Sequence, residues 1–156
     1  MNVLDVASGG GRHAISAAEL GCHVTAVDRE PERFKKAQEY ADSQNLTVEW
    51  LSEDLKTYVP PAMGFDVVMV FYYLDRQRMP IFLEATRPGG YLIYETFLES
   101  QRERGWGPTS RDHLLQPWEL PRLIGPFEVV QYREVVDVAG DRLAALASML
   151  AQRPLP

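Results

Sequence analysis

The sequence predicts an α/β fold in which helices cover a mostly parallel sheet. Strand-like and helix-like segments alternate along roughly the first two thirds of the chain, and the apolar run Phe65–Phe71 is continuous, as in strands buried on both faces. A glycine-rich turn also joins the first strand to the first helix. With 156 residues, 46% of them hydrophobic, the chain can bury a core of its own. We therefore expect a single domain over residues 1–156.

The individual elements follow from the spacing of apolar residues and from the turn residues between them. The first predicted elements are strand Asn2–Val6, helix Gly11–Leu20, strand His23–Val27, helix Pro31–Ser43 and strand Thr47–Leu51. Pro31 favours a helix start, because its missing N–H and fixed φ suit the first turn. Pro60-Pro61 then breaks the chain before the next strand.

The remaining elements are less regular. They are strand Phe65–Phe71, helix Met79–Thr86, turn Arg87–Gly90, strand Tyr91–Phe97, polar loop Leu98–Gln116, a short helix from Pro117 and strand Phe127–Val136. Loops as long as this one are typically functional lids or disordered. The final run Arg142–Gln152 is ambiguous, because Leu143, Leu146 and Leu150 have helical spacing whereas a terminal hairpin requires a strand.

Charge and composition limit the classes of partner that the chain is expected to bind. The chain has 16 basic and 22 acidic residues, a net charge of −6 and no stripe of Lys or Arg, so we expect small molecules rather than nucleic acid as partners. The single cysteine, Cys22, excludes an intramolecular disulfide. The sequence shows neither a secretory leader nor an apolar span of membrane length, which predicts a cytoplasmic protein without a membrane partner. His13, His23 and His113 lack the spacing of a metal site, and no metal is predicted.

The most informative segment is Val3–His13, in which Asp5 ends a strand just before Gly9, Gly10 and Gly11. Such glycines bring bare backbone close to a nucleotide-like ligand. A dinucleotide would place its pyrophosphate at this turn, near the like charge of Asp5. S-adenosyl-L-methionine has no phosphate and carries an ammonium and a sulfonium, which a carboxylate attracts. The spacing Gly9-x-Gly11-x-x-Ala14 fits the dinucleotide pattern and is weak by itself, so Asp5 favours S-adenosyl-L-methionine.

Motifs along essentially the whole chain resemble those of the class I S-adenosylmethionine-dependent methyltransferases. They are the glycine segment Leu4-Asp-Val-Ala-Ser-Gly-Gly-Gly11, the strand-end acid Asp28, the triplet Glu53-Asp54-Leu55 and the turn Arg87-Pro-Gly-Gly90. Three further stretches resemble small bacterial members of the tellurite-resistance and thiopurine type: Tyr73-Leu-Asp-Arg76, Tyr94-Glu-Thr-Phe97 and Leu114-Leu-Gln-Pro-Trp-Glu-Leu120. The resemblance implies a Rossmann-like three-layer sandwich. Its seven-stranded sheet would have the order 3-2-1-4-5-7-6 with the last strand antiparallel, which makes Arg142–Gln152 a strand.

The sequence departs from the family at two places. Ala7 stands where the family usually has glycine, and its methyl group would crowd the closest backbone approach to the cofactor. Family members also begin with helices that cover one face of the sheet, whereas here the first strand starts at Asn2. That face needs another cover, and a homodimer is one solution.

The resemblance also implies the cofactor site. Asp5, Ser8, Gly9 and Gly11, together with Ala7, would surround the methionine moiety of S-adenosyl-L-methionine. Asp28 would bind the ribose hydroxyls, Arg29 would lie beside the adenine, and Asp54, within Glu53-Asp54-Leu55, would accept the adenine amine. Phe71 and Tyr72 would close the pocket beneath the methyl group.

The expected reaction is in-line transfer of that methyl group to a small-molecule acceptor, whose identity the sequence leaves open. Candidates for the acceptor side are Tyr73, Arg76, Glu95 and His113, with Arg76 holding an anionic group and Glu95 or His113 taking a proton. Two alternatives remain. A nicotinamide-dependent oxidoreductase explains the glycine spacing and Asp28 but neither Asp5 nor Asp54. A non-catalytic sensor or scaffold could keep the fold without the reaction.

Overall fold

A seven-stranded sheet runs through the middle of the protein, which a computed structural model describes over residues 1–156. The strands are β1 Asn2–Val6, β2 His23–Asp28, β3 Val48–Ser52, β4 Phe65–Phe71, β5 Thr86–Phe97, β6 Glu128–Ala139 and β7 Arg142–Gln152. The α-helices are α1 Arg12–Glu19, α2 Pro31–Ser43, α3 Met79–Glu84 and α4 Leu120–Leu123, with 3₁₀ turns at Glu99–Arg104 and Arg111–His113. No helix is long and apolar enough to cross a bilayer.

The strand order is β3-β2-β1-β4-β5-β7-β6, as predicted. The pairs from β3 to β5 are all parallel, and β7 is antiparallel to both of its neighbours. The ambiguous final run is therefore a strand, because pairing on both edges outweighs the local helical preference of its leucines. Since parallel strands end at the same edge of a sheet, the loops that follow β1, β2, β3 and β4 meet there.

The two faces of the sheet are covered unequally. Helices α3 and α4 pack against β5 and β7 and enclose the larger core of 23 buried residues. On the opposite face α1 and α2 cover β1 to β3, and the core there has only seven buried residues. No α-helix covers this second face over β5 to β7, where Ile93 and Leu150 are only half-buried, as is Phe71 at the end of the neighbouring β4.

Several predicted boundaries shift. The first helix is shorter at both ends, and the third ends at Glu84 rather than Thr86. The segment Arg87–Gly90 is an irregular part of β5 rather than a turn outside it, since Thr86 already pairs with Phe65 before a register shift. The cause is local packing: the space at Gly90 where a Cβ would lie is only 2.7 Å from the Asp66 carbonyl oxygen, so the strand runs close against β4.

The segment after β5 is not the free polar loop that was predicted. Leu114 and Leu115 are fully buried, and Leu115 donates its N–H to the carbonyl of Phe97 (2.9 Å). Gln101 is also fully buried; its amide donates to the Trp106 carbonyl (2.9 Å) and accepts from the N–H of Ala145 (2.9 Å). These contacts fasten the segment to β5 and β7. The short helix begins at Leu120, three residues later than predicted.

Candidate functional site

The turn after β1 is held against the end of β2. Ser8 donates its N–H to the carbonyl of Val27 (3.0 Å), and Gly11 donates its N–H to the Ser8 carbonyl (2.9 Å). Ala7 and Gly9 both adopt left-handed conformations, with φ of 58° and 55°. For Ala7 that conformation is strained, because its Cβ crowds the following carbonyl. The turn therefore has the shape that glycine favours, with an alanine at its first left-handed position.

Gly11 is required by packing. Its φ is 81°, and a Cβ at this position would lie 2.7 Å from the Trp50 ring and 2.8 Å from the Ala37 Cβ. The missing side chain thus lets α1 start close to α2 and β3. The prediction that Gly11 serves the cofactor gains no support from this geometry, which assigns Gly11 to the packing behind the turn.

Asp5 is the most unusual residue of the turn. It is only 1% exposed, and its Oδ2 has no hydrogen-bond partner. Burial, with a smaller contribution from the negative charge of nearby Asp28, raises the pKa of Asp5 to about 7. The Oγ of Ser8 is likewise buried without a partner. Unpaired buried polar atoms are costly, so this pair suits a ligand that supplies hydrogen-bond donors and a positive charge.

Asp28 ends β2 beside the same turn and is 4% exposed. Its Oδ2 accepts from the N–H of Gly9 (2.8 Å) and its Oδ1 from the N–H of Glu30 (3.0 Å). Each carboxylate oxygen keeps a second lone pair, so both can still accept a hydroxyl. Arg33, which was not predicted, places its guanidinium 3.7 Å from Asp28 Oδ2. The sequence could have indicated Arg33, because it lies in the first turn of the helix that begins at Pro31, close after Asp28.

The loop after β3 lies next to the Asp28 strand end, since Glu53 donates its N–H to the Asp28 carbonyl (3.1 Å). Asp54 is exposed, and its Oδ1 accepts from the N–H of Lys56 (2.9 Å), as in an ordinary Asx turn. The side chain of Leu55 is buried in the main core and does not face the site. Arg29 is exposed, and only its carbonyl is engaged, with Ser52 (3.3 Å).

An aromatic pair closes the end of β4. The ring of Phe71 stacks on His13 with centroids 3.6 Å apart and 12° between the planes. Burial, and then the charge of Arg12, lower the pKa of His13, so its imidazole is neutral at pH 7. Tyr72 follows with a φ of 57°, an outlier for a bulky residue, and donates its N–H to the Glu95 carbonyl (2.8 Å). His13 was missed as a site residue, although it lies two positions after Gly11.

Of the four predicted acceptor residues, Arg76 and His113 line one open pocket, whereas Glu95 lines a different cavity and Tyr73 lines neither. The donors of Arg76 are engaged by both carboxylate oxygens of Glu119 (2.6 and 2.9 Å) and by the carbonyls of Leu114 (2.8 Å) and Arg111 (3.1 Å). These contacts fasten the segment after β5, and they lend no support to the expectation that Arg76 holds an anionic acceptor. His113 is exposed and lines, with Lys56 and others, an open pocket of about 580 Å³.

Tyr73 and Glu95 lie on opposite sides of the sheet. Tyr73 packs edge-on against Phe82 (6.4 Å), and burial raises its pKa to about 12, so its phenol stays protonated near neutral pH. Glu95 lies on the sparsely covered face, in a smaller cavity of about 180 Å³ whose lining includes Phe71 and Ser148. Of the four residues, Glu95 alone lines the same cavity as Phe71 and has an unpaired charge.

The fold and the site define an α/β protein with a candidate nucleotide-cofactor site at the carboxyl edge of its sheet. The chain belongs to the methyltransferase-domain family, whose model matches residues 3–90. It is 32% identical over 100 residues to a ubiquinone biosynthesis O-methyltransferase of Coxiella burnetii, covering 61% of this chain and 43% of that protein. It is also 40% identical over 67 residues to an uncharacterized protein of Mycobacterium tuberculosis, covering 43% of this chain and 24% of the other. The chain thus spans less than half the length of these relatives.

Solved structures show the same fold over nearly the whole chain. TehB from Haemophilus influenzae superposes with a TM-score of 0.79 at 20% identity, covering 97% of this chain and 57% of that one. The N-methyltransferase NodS from Bradyrhizobium japonicum, in complex with S-adenosyl-L-homocysteine, gives 0.76 at 18% identity, covering 98% and 78%. The predicted class I methyltransferase fold is confirmed. Family membership disfavours the nicotinamide alternative.

Proposed function

We propose that the protein is an S-adenosyl-L-methionine-dependent methyltransferase that acts on a small-molecule acceptor. The observation that carries the proposal is Asp5, a buried carboxylate with an unpartnered oxygen beside the glycine turn. A pyrophosphate at this turn would face like charge, whereas a cationic ligand would be attracted. Membership of the methyltransferase-domain family supports the same conclusion.

The residues at the strand ends fit such a cofactor. Asp5 and the Ser8 hydroxyl would hold its ammonium end, and Asp28 would accept the two ribose hydroxyls on its free lone pairs. Arg29 and Asp54 are exposed at the neighbouring strand ends and would contact the adenine, Asp54 through its amine. Phe71 and Tyr72 would lie beneath the methyl group. When bound, the cofactor supplies an electrophilic methyl group on a sulfonium.

The contribution of the chain to the reaction would be orientation, exclusion of water and one proton acceptor. The His13–Phe71 stack forms an apolar wall at the end of β4, where the acceptor would approach. Glu95 is the proposed proton acceptor, because its carboxylate takes part in none of the ion pairs. Tyr73 stays protonated and would only donate a hydrogen bond.

Titration with S-adenosyl-L-homocysteine tests whether the pocket is used. The variant Asp28→Ala removes both ribose acceptors, and we expect binding to weaken by about ten- to a hundredfold, because hydrogen bonds to a charged group are worth about 1.5–3 kcal/mol. The matched control is Glu30→Ala, an exposed acid two residues away. Unchanged binding by Asp28→Ala would contradict the ribose assignment. Wild-type binding without methyl transfer to any acceptor would favour a sensor.

Two further features are proposed with the function. We propose that the protein works in the cytoplasm, which its single, buried and unpaired cysteine, Cys22, supports. We also propose a homodimer, since Val67 and Tyr91 leave apolar surface at the amino-terminal end of the sparsely covered face, and Tyr91 is 38% exposed. Light scattering at micromolar concentration should give twice the mass of the chain, and the mass of one chain would contradict the dimer.

A further inference from the structure

The cavity on the sparsely covered face contains side chains that the cofactor half of the site does not use. Phe71, Glu95, Ser148 and Arg133 form one row across β4, β5, β7 and β6, because each pairs with the next in register. All four line the cavity of about 180 Å³. Since alternate residues of a strand share a face, Ile93 and Leu150 form the next row toward the amino-terminal end of β5.

The charges in this row are not equivalent. Arg133 is already paired with Asp137 on its own strand (3.2 Å). Glu95 belongs to no ion pair, although it is half-buried among the apolar side chains of Phe71 and Ile93. The cavity therefore has one unpaired charge, and that charge is negative. A carboxylate in such surroundings is stabilised by a cation.

The hydroxyl of Ser148 points to the same ligand chemistry. Ser148 pairs directly with Glu95 across β5 and β7, so the two side chains are neighbours on this face. The Ser148 Oγ is buried and has no hydrogen-bond partner in the protein. A carboxylate and a hydroxyl side by side accept several hydrogen bonds, and an ammonium group donates three. The apolar body of such a ligand would lie on Phe71, Ile93 and Leu150.

We propose that this cavity is the acceptor site and that the acceptor is a primary or secondary amine with a small apolar body. The inference rests on the proposed function. The Phe71–His13 stack joins the cavity to the glycine turn, because His13 lies at the start of α1 directly after that turn. An amine bound at Glu95 is thus next to the end of β4, where the methyl group would be presented.

Loss of a proton from the amine would precede transfer of the methyl group. Glu95 takes one proton from the bound ammonium, and the freed lone pair of nitrogen forms a bond to the methyl carbon. The carbon–sulfur bond breaks and its electron pair stays on sulfur, so the sulfonium becomes a neutral thioether. The product leaves as a methylated ammonium, and Glu95 returns its proton to solvent.

A matched pair of acceptors tests the proposal. Label transfer from methyl-labelled S-adenosyl-L-methionine would be measured with 2-phenylethylamine and with 2-phenylethanol, within a wider panel of primary and secondary amines and alcohols. We expect amines to be methylated and the alcohols not. Methylation of alcohols alone, or of nothing while S-adenosyl-L-homocysteine still binds, would overturn the amine assignment and leave the cofactor site intact. Failure to bind S-adenosyl-L-homocysteine would instead contradict the proposed function itself.

Variants locate the site. Glu95→Gln should lower kcat/KM for the amine by about a hundredfold, the typical contribution of a general base, while binding of S-adenosyl-L-homocysteine stays unchanged. Leu150→Trp should block the cavity and raise KM without affecting cofactor binding. The control is Glu128→Gln, an exposed acid at the start of β6 that pairs with Gln152 of β7 and does not line the cavity. Amine methylation that is equally fast in Glu95→Gln and in the control would contradict the assignment of Glu95.

Discussion

Asp5, one residue before the end of β1, and Asp28, the last residue of β2, place two almost fully buried carboxylates at one edge of the sheet. Asp5 pairs with Ala26 in register, so Asp28 lies two residues further along β2. The amides of Gly9 and Glu30 satisfy Asp28, whereas Asp5 keeps an unpartnered oxygen. Burial, with a smaller contribution from the like charge of Asp28, raises the pKa of Asp5 to about 7.

Cofactor affinity should therefore depend on pH. Below about pH 7 Asp5 is neutral, and above it the carboxylate attracts the cationic end of the ligand. We expect the affinity for S-adenosyl-L-homocysteine to fall by up to about tenfold for each pH unit below 7, since ligand binding must then release a proton. Calorimetric titrations between about pH 5.5 and 7.5 measure this. In Asp5→Asn the slope should disappear, and a slope equal to that of the wild type would exclude Asp5 as its source.

The free energy of unfolding of the ligand-free protein should change with pH in the opposite direction to the cofactor affinity: the contribution of Asp5 to it falls as pH rises. The folded pKa of Asp5 is raised from 3.8 to about 7, so the folded state binds the proton more tightly than the unfolded state. Its stabilising contribution is present below about pH 4 and is lost as pH rises to about 7, by up to roughly 4 kcal/mol. Urea unfolding should show Asp5→Asn to be more stable than the wild type at pH 8. Equal free energies of unfolding at pH 8 would show that Asp5 is solvated.

Alanine substitutions at Gly11 and Gly21 should distinguish the cost of a steric clash from the cost of a left-handed backbone. A methyl group at Gly11 would collide with Trp50 and Ala37, whereas at Gly21, with a similar positive φ of 87°, nothing lies within 4 Å. Gly11→Ala should cost about 3 kcal/mol or more, and Gly21→Ala about 1 kcal/mol from its left-handed backbone alone. Thermal or urea unfolding measures the difference. If both variants lose the same stability, the close contact at Gly11 is not what requires glycine there.

The ion pair of Arg76 with Glu119 should be structural. The pair holds the start of α4 and the residues around Leu114 against the loop after β4. A double-mutant cycle with Arg76→Met and Glu119→Gln should give a coupling energy of about 1–2 kcal/mol, because the pair is partly buried and bidentate. Binding of S-adenosyl-L-homocysteine should be unaffected. A variant that keeps full stability but loses acceptor turnover would return Arg76 to the acceptor site.

The order of the strands could be predicted because the strand-end motifs follow one another along the chain as they do in the family. Apolar runs also mark β1, β2 and β4 clearly. The hydrogen-bond partners of Arg76 could not be predicted, because Glu119 and Leu114 are about forty residues away in sequence and only the fold brings them together. The same is true of the segment after β5. Its composition is polar, but the pair Leu114-Leu115 is what anchors it, and two leucines in a polar stretch carry little weight in a local pattern.

The position of a candidate site residue could be predicted where the residue lies at the end of a strand. Asp5, Asp28 and Phe71 lie at the carboxyl edge because strand ends are readable from sequence. Leu55 was assigned with its neighbours, yet its side chain turns into the core, a direction that a motif does not specify. The cavity beside Glu95 could not be predicted from the sequence either, because only the antiparallel pairing of β7 with β5 places Ser148 next to Glu95.

We expect the glycine turn and its acids to bind S-adenosyl-L-methionine. Calorimetric titration of the purified protein with S-adenosyl-L-homocysteine, run beside NAD under the same conditions, tests it most directly. We expect saturable, one-to-one binding of S-adenosyl-L-homocysteine and none of NAD. Binding of NAD alone would contradict the account, and binding of neither ligand would show that this edge of the sheet is not a working cofactor site.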